Sequence, residues 1–152
     1  MANFETVGLD ELEQQFRQGD EAAGKLLEEI VNAQTDIVLK AQQDEIASML
    51  YDTGGFQKSL KAGNIVHTAT ECYREIQPDG RAPHTADYGG GGNKRKGKSQ
   101  KGNVRYATIG WIYEYGTSSI AARPWLTSAN AKAEPEAQEK AQEIWNEKSV
   151  GQ

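Results

Sequence analysis

From Asp20 to about Leu50 apolar side chains return every three or four residues, as Ala23, Leu26, Leu27, Ile30, Val31, Ile37, Val38, Ala41, Ile46, Met49 and Leu50, with one break at Gln34. That is the 3.6-residue period of an amphipathic helix. Asp20 can cap its first turn, Glu28 and Glu29 fall on the polar side, and Asp52-Thr53-Gly54-Gly55 supplies the stop. A shorter helix, Leu9 to Arg17 with Leu9, Leu12 and Phe16 on one side and Gly19 behind it, is predicted to precede it. The first fifty residues are therefore predicted to be helical, and the rest of the fold must cover one long stripe.

After the double glycine the pattern changes. Ser59-Leu60 and Ile65-Val66-His67-Thr68-Ala69-Thr70 are rich in β-branched residues, and from Glu71 to Ile76 the residues Cys72, Arg74 and Ile76 alternate with Tyr73 and Glu75. Both segments read as strands. Pro78-Asp79-Gly80 marks a turn, and Arg81 to Gly92 has no apolar period. Asn103 to Tyr115, with Tyr106, Thr108, Ile109, Trp111, Ile112, Tyr113 and Tyr115, again has strand composition, Gly110 being a bulge or close-approach point. An antiparallel sheet of three to four strands is predicted. Pro124 fits the first turn of a last helix, in which Leu126, Ala129, Ala133, Ala137, Ala141, Ile144 and Trp145 form a narrow stripe. Pro135 is predicted to kink or split it near Ala133 or Glu134. The fold class is α+β, with long N-terminal and C-terminal helices packed on the sheet.

Composition narrows the function classes. At 152 residues the length is that of one domain, but 37% apolar against 26% charged residues is modest material for a core, so burial by neighbours would help. No apolar run approaches the roughly 18 residues of a membrane span, and Met-Ala-Asn-Phe-Glu has neither basic nor apolar character, so a soluble, unexported chain is expected. Cys72 is the only cysteine and reads as a small buried apolar side chain. His67, Cys72 and His84 lack ligand-like spacing, so no metal is predicted. The four glycines Gly89–Gly92 lead into lysines and a strand, whereas phosphate-cradling glycine loops open into a helix, so no cofactor is predicted. No nucleophile and base form a set, and no catalytic residue is assigned.

Charge is unevenly placed. Lys94, Arg95, Lys96, Lys98, Lys101 and Arg105 lie in a stretch without an acid between Asp87 and Glu114, so that of the 17 basic and 22 acidic residues the remainder keeps 11 and 22. The segment 89–103 cannot bury enough apolar surface to order itself and reads as a mobile basic loop on an acidic body. It can face DNA phosphates, an acidic protein partner, or solvent alone.

Two short motifs remain. Tyr113-Glu114-Tyr115-Gly116-Thr117-Ser118-Ser119-Ile120-Ala121-Ala122-Arg123-Pro124-Trp125-Leu126 runs from a strand end through a Gly-Thr turn and an Ala-Arg-Pro corner into a helix start, and Thr53-Gly54-Gly55-Phe56-Gln57-Lys58-Ser59-Leu60 lies upstream. The first resembles the Glu-aromatic-Gly-Thr turn, variable loop and Ala-Arg-Pro-aromatic-Leu segment of the head-to-tail joining, or tail-completion, family of long-tailed double-stranded DNA bacteriophages. The second is similar to that family's Thr-Gly-x-apolar-x-x-Ser-apolar segment, whose matching positions here include Thr53, Gly54 and Ser59. The likeness covers most of residues 20–148, taken as one domain between an N-terminal segment 1–19 and a tail 149–152.

What the resemblance implies is a structural virion protein of the phage neck without catalytic activity. It would form a ring, hexameric by first expectation and dodecameric as the alternative, that joins the head connector or head-completion protein to the tail tube or tail terminator. Its location would be the virion neck, and the host cytoplasm during assembly, with no membrane partner and with genomic DNA in the channel as a possible contact. Tyr113, Glu114, Tyr115, Gly116, Thr117, Arg123, Pro124 and Trp125 are candidates for the turn or a subunit interface. Arg123 can close that turn by a bidentate pair with Glu114 or bond a neighbouring subunit; Trp125 is predicted to be core, and the tyrosines are open to either role. The alternative is a nucleic-acid-binding module using residues 94–105, against which stand the acidic body and the lack of an aromatic between Lys94 and Lys101.

Overall fold

A computed structural model describes residues 9–49, 54–68, 71–82 and 104–149, with the backbone alone described over 9–17. The order is α1 (Leu9–Met49), α2 (Gly55–Ser59), β1 (Leu60–His67), β2 (Cys72–Pro78), α3 (Tyr106–Tyr115) and α4 (Trp125–Ser149). Long N-terminal and C-terminal helices pack together, and a two-stranded antiparallel hairpin lies against them: the class is α+β.

α1 is longer than its apolar stripe predicts. It runs unbroken through Gly19 and Asp20, so the expected short first helix is its opening turns and the boundary at residues 19/20 falls inside a helix. A glycine within a helix costs only about 1 kcal/mol relative to alanine, too little to end it by itself. The stop is better obeyed: the helix ends at Met49, and Gly54, at φ +84°, holds a left-handed conformation before α2.

α4 lies antiparallel along α1. Its Ala129, Ala133 and Ala137 are buried at four-residue spacing, which lets the two backbones approach closely. Bonds across the seam fix the register: Gln42 Nε2 donates to Asn130 Oδ1 at 2.9 Å, Gln34 Nε2 to the Ala137 carbonyl at 3.3 Å, and Lys148 Nζ to Glu29. α4 is not split at Pro135. Pro135 and Ala131, whose carbonyl loses its ladder donor, are both exposed, so water can take the freed acceptor.

β1 and β2 pair from Leu60↔Pro78 to His67↔Cys72, with a bulge where Gly63 and Asn64 oppose Glu75 alone. The hairpin is held to α1 by Arg74 Nη1 donating to Asn32 Oδ1 at 2.9 Å and by His67 Nε2 2.8 Å from Glu28 Oε1. The third and fourth strands are not found among the described residues, and the segment predicted to supply one, 103–115, is mostly helix α3. The residues of α3 that face inward are Tyr106, Ile109, Gly110, Tyr113 and Glu114, at helical i, i+3, i+4, i+7, i+8 spacing. Its β-branched and aromatic composition misleads because propensity yields to burial.

The core sits where α1, α2, β1 and α4 converge, built from Ile46, Phe56, Leu60 and Trp125, with Leu39, Ile76, Tyr106, Tyr113 and Leu126 packed around them. No described helix is long and apolar enough to cross a membrane.

Candidate functional site

The corner from α3 to α4 contains the motif Tyr113 to Leu126, and most of its named residues have a structural task. α3 ends at Gly116, whose N–H donates to the Ile112 carbonyl at 2.7 Å and whose backbone, at φ +73° and ψ −177°, suits only glycine. A Cβ there would lie 2.7 Å from both Ala122 N and the Ile120 carbonyl oxygen. Thr117 then ties the loop on itself: its N–H donates to the Ile120 carbonyl at 2.8 Å, and its Oγ1 accepts from Ile120 N at 3.1 Å and Ser119 N at 3.3 Å. The Arg123 N–H donates to the Tyr113 carbonyl at 2.6 Å, drawing the incoming chain back onto α3.

Pro124 immediately precedes α4, and its carbonyl accepts the first helical bond from Ser128 N at 3.1 Å. Proline brings no side-chain acceptor, so the orphan donors of the first turn need one from elsewhere. Glu114 provides it: Oε2 accepts from Leu126 N at 2.8 Å, and Oε1 accepts from Thr127 N at 3.2 Å and from the Thr127 hydroxyl. A buried carboxylate from α3 thus caps α4 at the end where the helix dipole favours negative charge. The sequence reading pairs Glu114 with Arg123; the bonds described for its carboxylate go to α4, while Arg123 Nη1 donates at 3.4 Å to the Met49 carbonyl at the end of α1. Trp125 is core, as predicted, and its Nε1–H donates to the Gly110 carbonyl at 2.9 Å. Tyr113 packs at the core's edge, whereas Tyr115 is 67% exposed.

The upstream motif meets this corner. Gly55 faces the Tyr106 ring so closely that a Cβ would collide with its hydroxyl. Phe56 lies edge-on to Trp125, centroids 5.1 Å apart at 85°, and stacks on Tyr106 at 6.3 Å. Ser59 Oγ donates to the Phe56 carbonyl at 2.6 Å, and the Ser59 carbonyl accepts from Asp79 N at 2.8 Å. Gly110 is a close-approach point within a helix instead of a strand bulge: a Cβ on it would lie 2.8 Å from Phe56 Cζ and 3.3 Å from Trp125 Cζ2.

Of the basic residues, Arg105 is exposed at the start of α3 and pairs in an isolated bridge with Arg81, and Ala82 N donates to the Val104 carbonyl at 2.8 Å. The described residues on either side of 83–103 are therefore held together. Lys94, Arg95, Lys96, Lys98 and Lys101, together with Thr53 and His84, lie outside the described residues. His67 sits opposite Cys72 in the hairpin, and no group of three metal-ligating side chains gathers among the described residues. Buried polar side chains there all have hydrogen-bond partners, so none is left aimed at a ligand.

One buried charge escaped sequence reasoning. Glu45 on α1 is 5% exposed and bonds Lys132 Nζ and Ser128 Oγ of α4, both at 2.6 Å. The lysine bond first, then the serine bond, hold its carboxyl below the usual glutamate range against the opposing effect of burial. Its place on the apolar side, beside Ile46, was the available signal. No known protein family, curated protein or solved structure matches the chain.

Proposed function

We propose that the protein is a structural component of a phage neck, one copy in a ring that joins head connector to tail tube. The observation that carries this reading is the meeting of the two motifs. Segments 54–60 and 113–126, far apart in the chain, share one packing unit in which Phe56, Gly110 and Trp125 interlock and Glu114 caps α4. Motif residues fixed by packing and capping suit a scaffold whose work is to hold surfaces in place.

A joining protein must present matched surfaces to two other rings, and closed symmetry lets weak contacts in each copy act together. Among the described residues no further strand pairs with the hairpin, so its edges can accept another chain's strand. A phage lacking the protein is expected to make filled heads and separate, unjoined tails, counted by electron microscopy of lysates. Normal infectious particles without it overturn the reading.

A further inference from the structure

Two surface features stand out, an apolar groove with no cover among the described residues and a helix end that runs beyond the elements packed against it. The first is a groove beside α3, walled in part by Leu60, Ile76, Ala107, Trp111, Tyr115 and Leu126 and enclosing about 250 Å³. Trp111 and Tyr115 stand one helical turn apart on its rim, 60% and 67% exposed, with ring centroids 5.4 Å apart. The single carboxylate on its wall, Glu114, is already bonded to α4. Large aromatics around a mostly apolar hollow, its one carboxylate already bonded, are what anchors a protein contact.

The second surface is the N-terminal end of α1. Lys148, next to the last residue of α4, reaches Glu29, and His67 at the end of β1 reaches Glu28. Residues 9–23 extend past both, an overhang of about 22 Å at about 1.5 Å per residue, and residues 18–23 are all exposed. Its sequence sets Leu9, Leu12 and Phe16 at the i, i+3, i+7 spacing of one helical side. A lone helix of that length is marginal in water, and Gly19 weakens it by about 1 kcal/mol, so packing must sustain it.

The overhang cannot fill its own groove, because its tip stands roughly 50 Å along a straight helix from Gln42, which borders the hollow. Charge favours a neighbour's groove. The overhang carries Asp10, Glu11, Glu13, Asp20 and Glu21 against Arg17, while Arg81 and Arg105 are paired just before groove-lining Ala107. We propose that the α1 overhang of one copy docks in the Trp111–Tyr115 groove of the next, head to tail. Such a contact is heterologous and either closes into a ring or runs on as a filament; that it closes rests on the neck reading.

The test uses two full-length variants, Phe16→Asp in the overhang and Trp111→Ala with Tyr115→Ala in the groove, with an overhang truncation at residue 17 as a second form of the first. Trp111 and Tyr115 are exposed and residue 16 lies in the overhang beyond the helix's packing partners, so melting temperatures should stay near that of wild type. Native mass spectrometry and sedimentation should show an oligomer for wild type and at least about tenfold weaker self-association for each variant. Mixed, the two variants should give a two-chain species that goes no further, since one intact overhang meets one intact groove. Variants that assemble like wild type, a mixture that stays single-chain, or wild type that remains single-chain at about millimolar concentration each overturn the docking. Wild-type oligomers with unaffected variants overturn the docking and leave the ring intact; infectious particles without the protein overturn the neck reading and leave the docking result standing.

Discussion

Glu114 and Gly110 show how single residues set this corner. Glu114 accepts two backbone donors and a hydroxyl at the start of α4, so Glu114→Ala leaves those donors without their acceptor in a half-buried site. Losing charge-assisted capping bonds is expected to cost about 2–3 kcal/mol, with Glu114→Gln milder because one oxygen remains; urea unfolding at pH 7 measures both. Gly110→Ala sets two effects against each other. Alanine gains about 1 kcal/mol of helix propensity, but its Cβ would lie 2.8 Å from Phe56 and 3.3 Å from Trp125, both buried. Overpacking of a tight core costs about 1–3 kcal/mol, so net destabilisation is expected, and a rise in stability would show that Phe56 can move aside.

At the scale of elements, the α1–α4 seam carries the pH dependence. Glu45 is held below its ordinary value by Lys132 and Ser128, so the unfolded chain binds its proton more readily than the folded one. Its contribution is therefore full above the ordinary glutamate pKa and is lost as pH falls through the folded value. Urea midpoints measured at pH 7 and at about pH 3.5 should fall less for Glu45→Gln than for wild type; equal falls would place the acid sensitivity elsewhere. Within α4, Pro135 removes one ladder bond on an exposed side of an otherwise unbroken helix. Pro135→Ala should therefore stabilise the protein by about 1–3 kcal/mol, read as a higher melting temperature.

For the whole molecule, the segment 89–103 is the part that sequence keeps out of the core, leaving it to DNA, an acidic protein partner or solvent alone. Its flanks are already joined by the Arg81–Arg105 bridge and the Ala82–Val104 bond. Replacing it with a short turn should leave the melting temperature nearly unchanged and, on the neck reading, impair neck assembly or DNA retention. Reversing its charge separates the partners. Failure to join at all, relieved or worsened by salt, indicates an acidic protein surface; joined particles that leak DNA indicate phosphate contact. A loop-shortened phage that assembles and infects normally at low and high salt would leave the tract a solvated tip.

Local periodicity settled the long helix from Asp20 onward and the last helix with its alanine stripe, because each is written in spacing that neighbours along the chain can satisfy, while β-branched composition and alternation marked the two strands on either side of residue 70, and the commoner fate of a large aromatic marked Trp125 as core. The glycine stop before α2 was legible for the same reason, a backbone conformation that only glycine takes easily. Tertiary contact decided the rest. Residues 106–115 became a helix because Tyr106 meets Phe56 and Gly110 meets both Phe56 and Trp125 on one side, an energy of burial that outweighs strand propensity. Glu114 became the cap of α4, and not simply a partner for Arg123, because Pro124 leaves that helix without a local acceptor. Glu45 could enter the seam because α4, more than eighty residues later, brings Ser128 and Lys132 to its two oxygens. A buried carboxylate is tolerable only once its partners have arrived, and their arrival is a property of the folded chain.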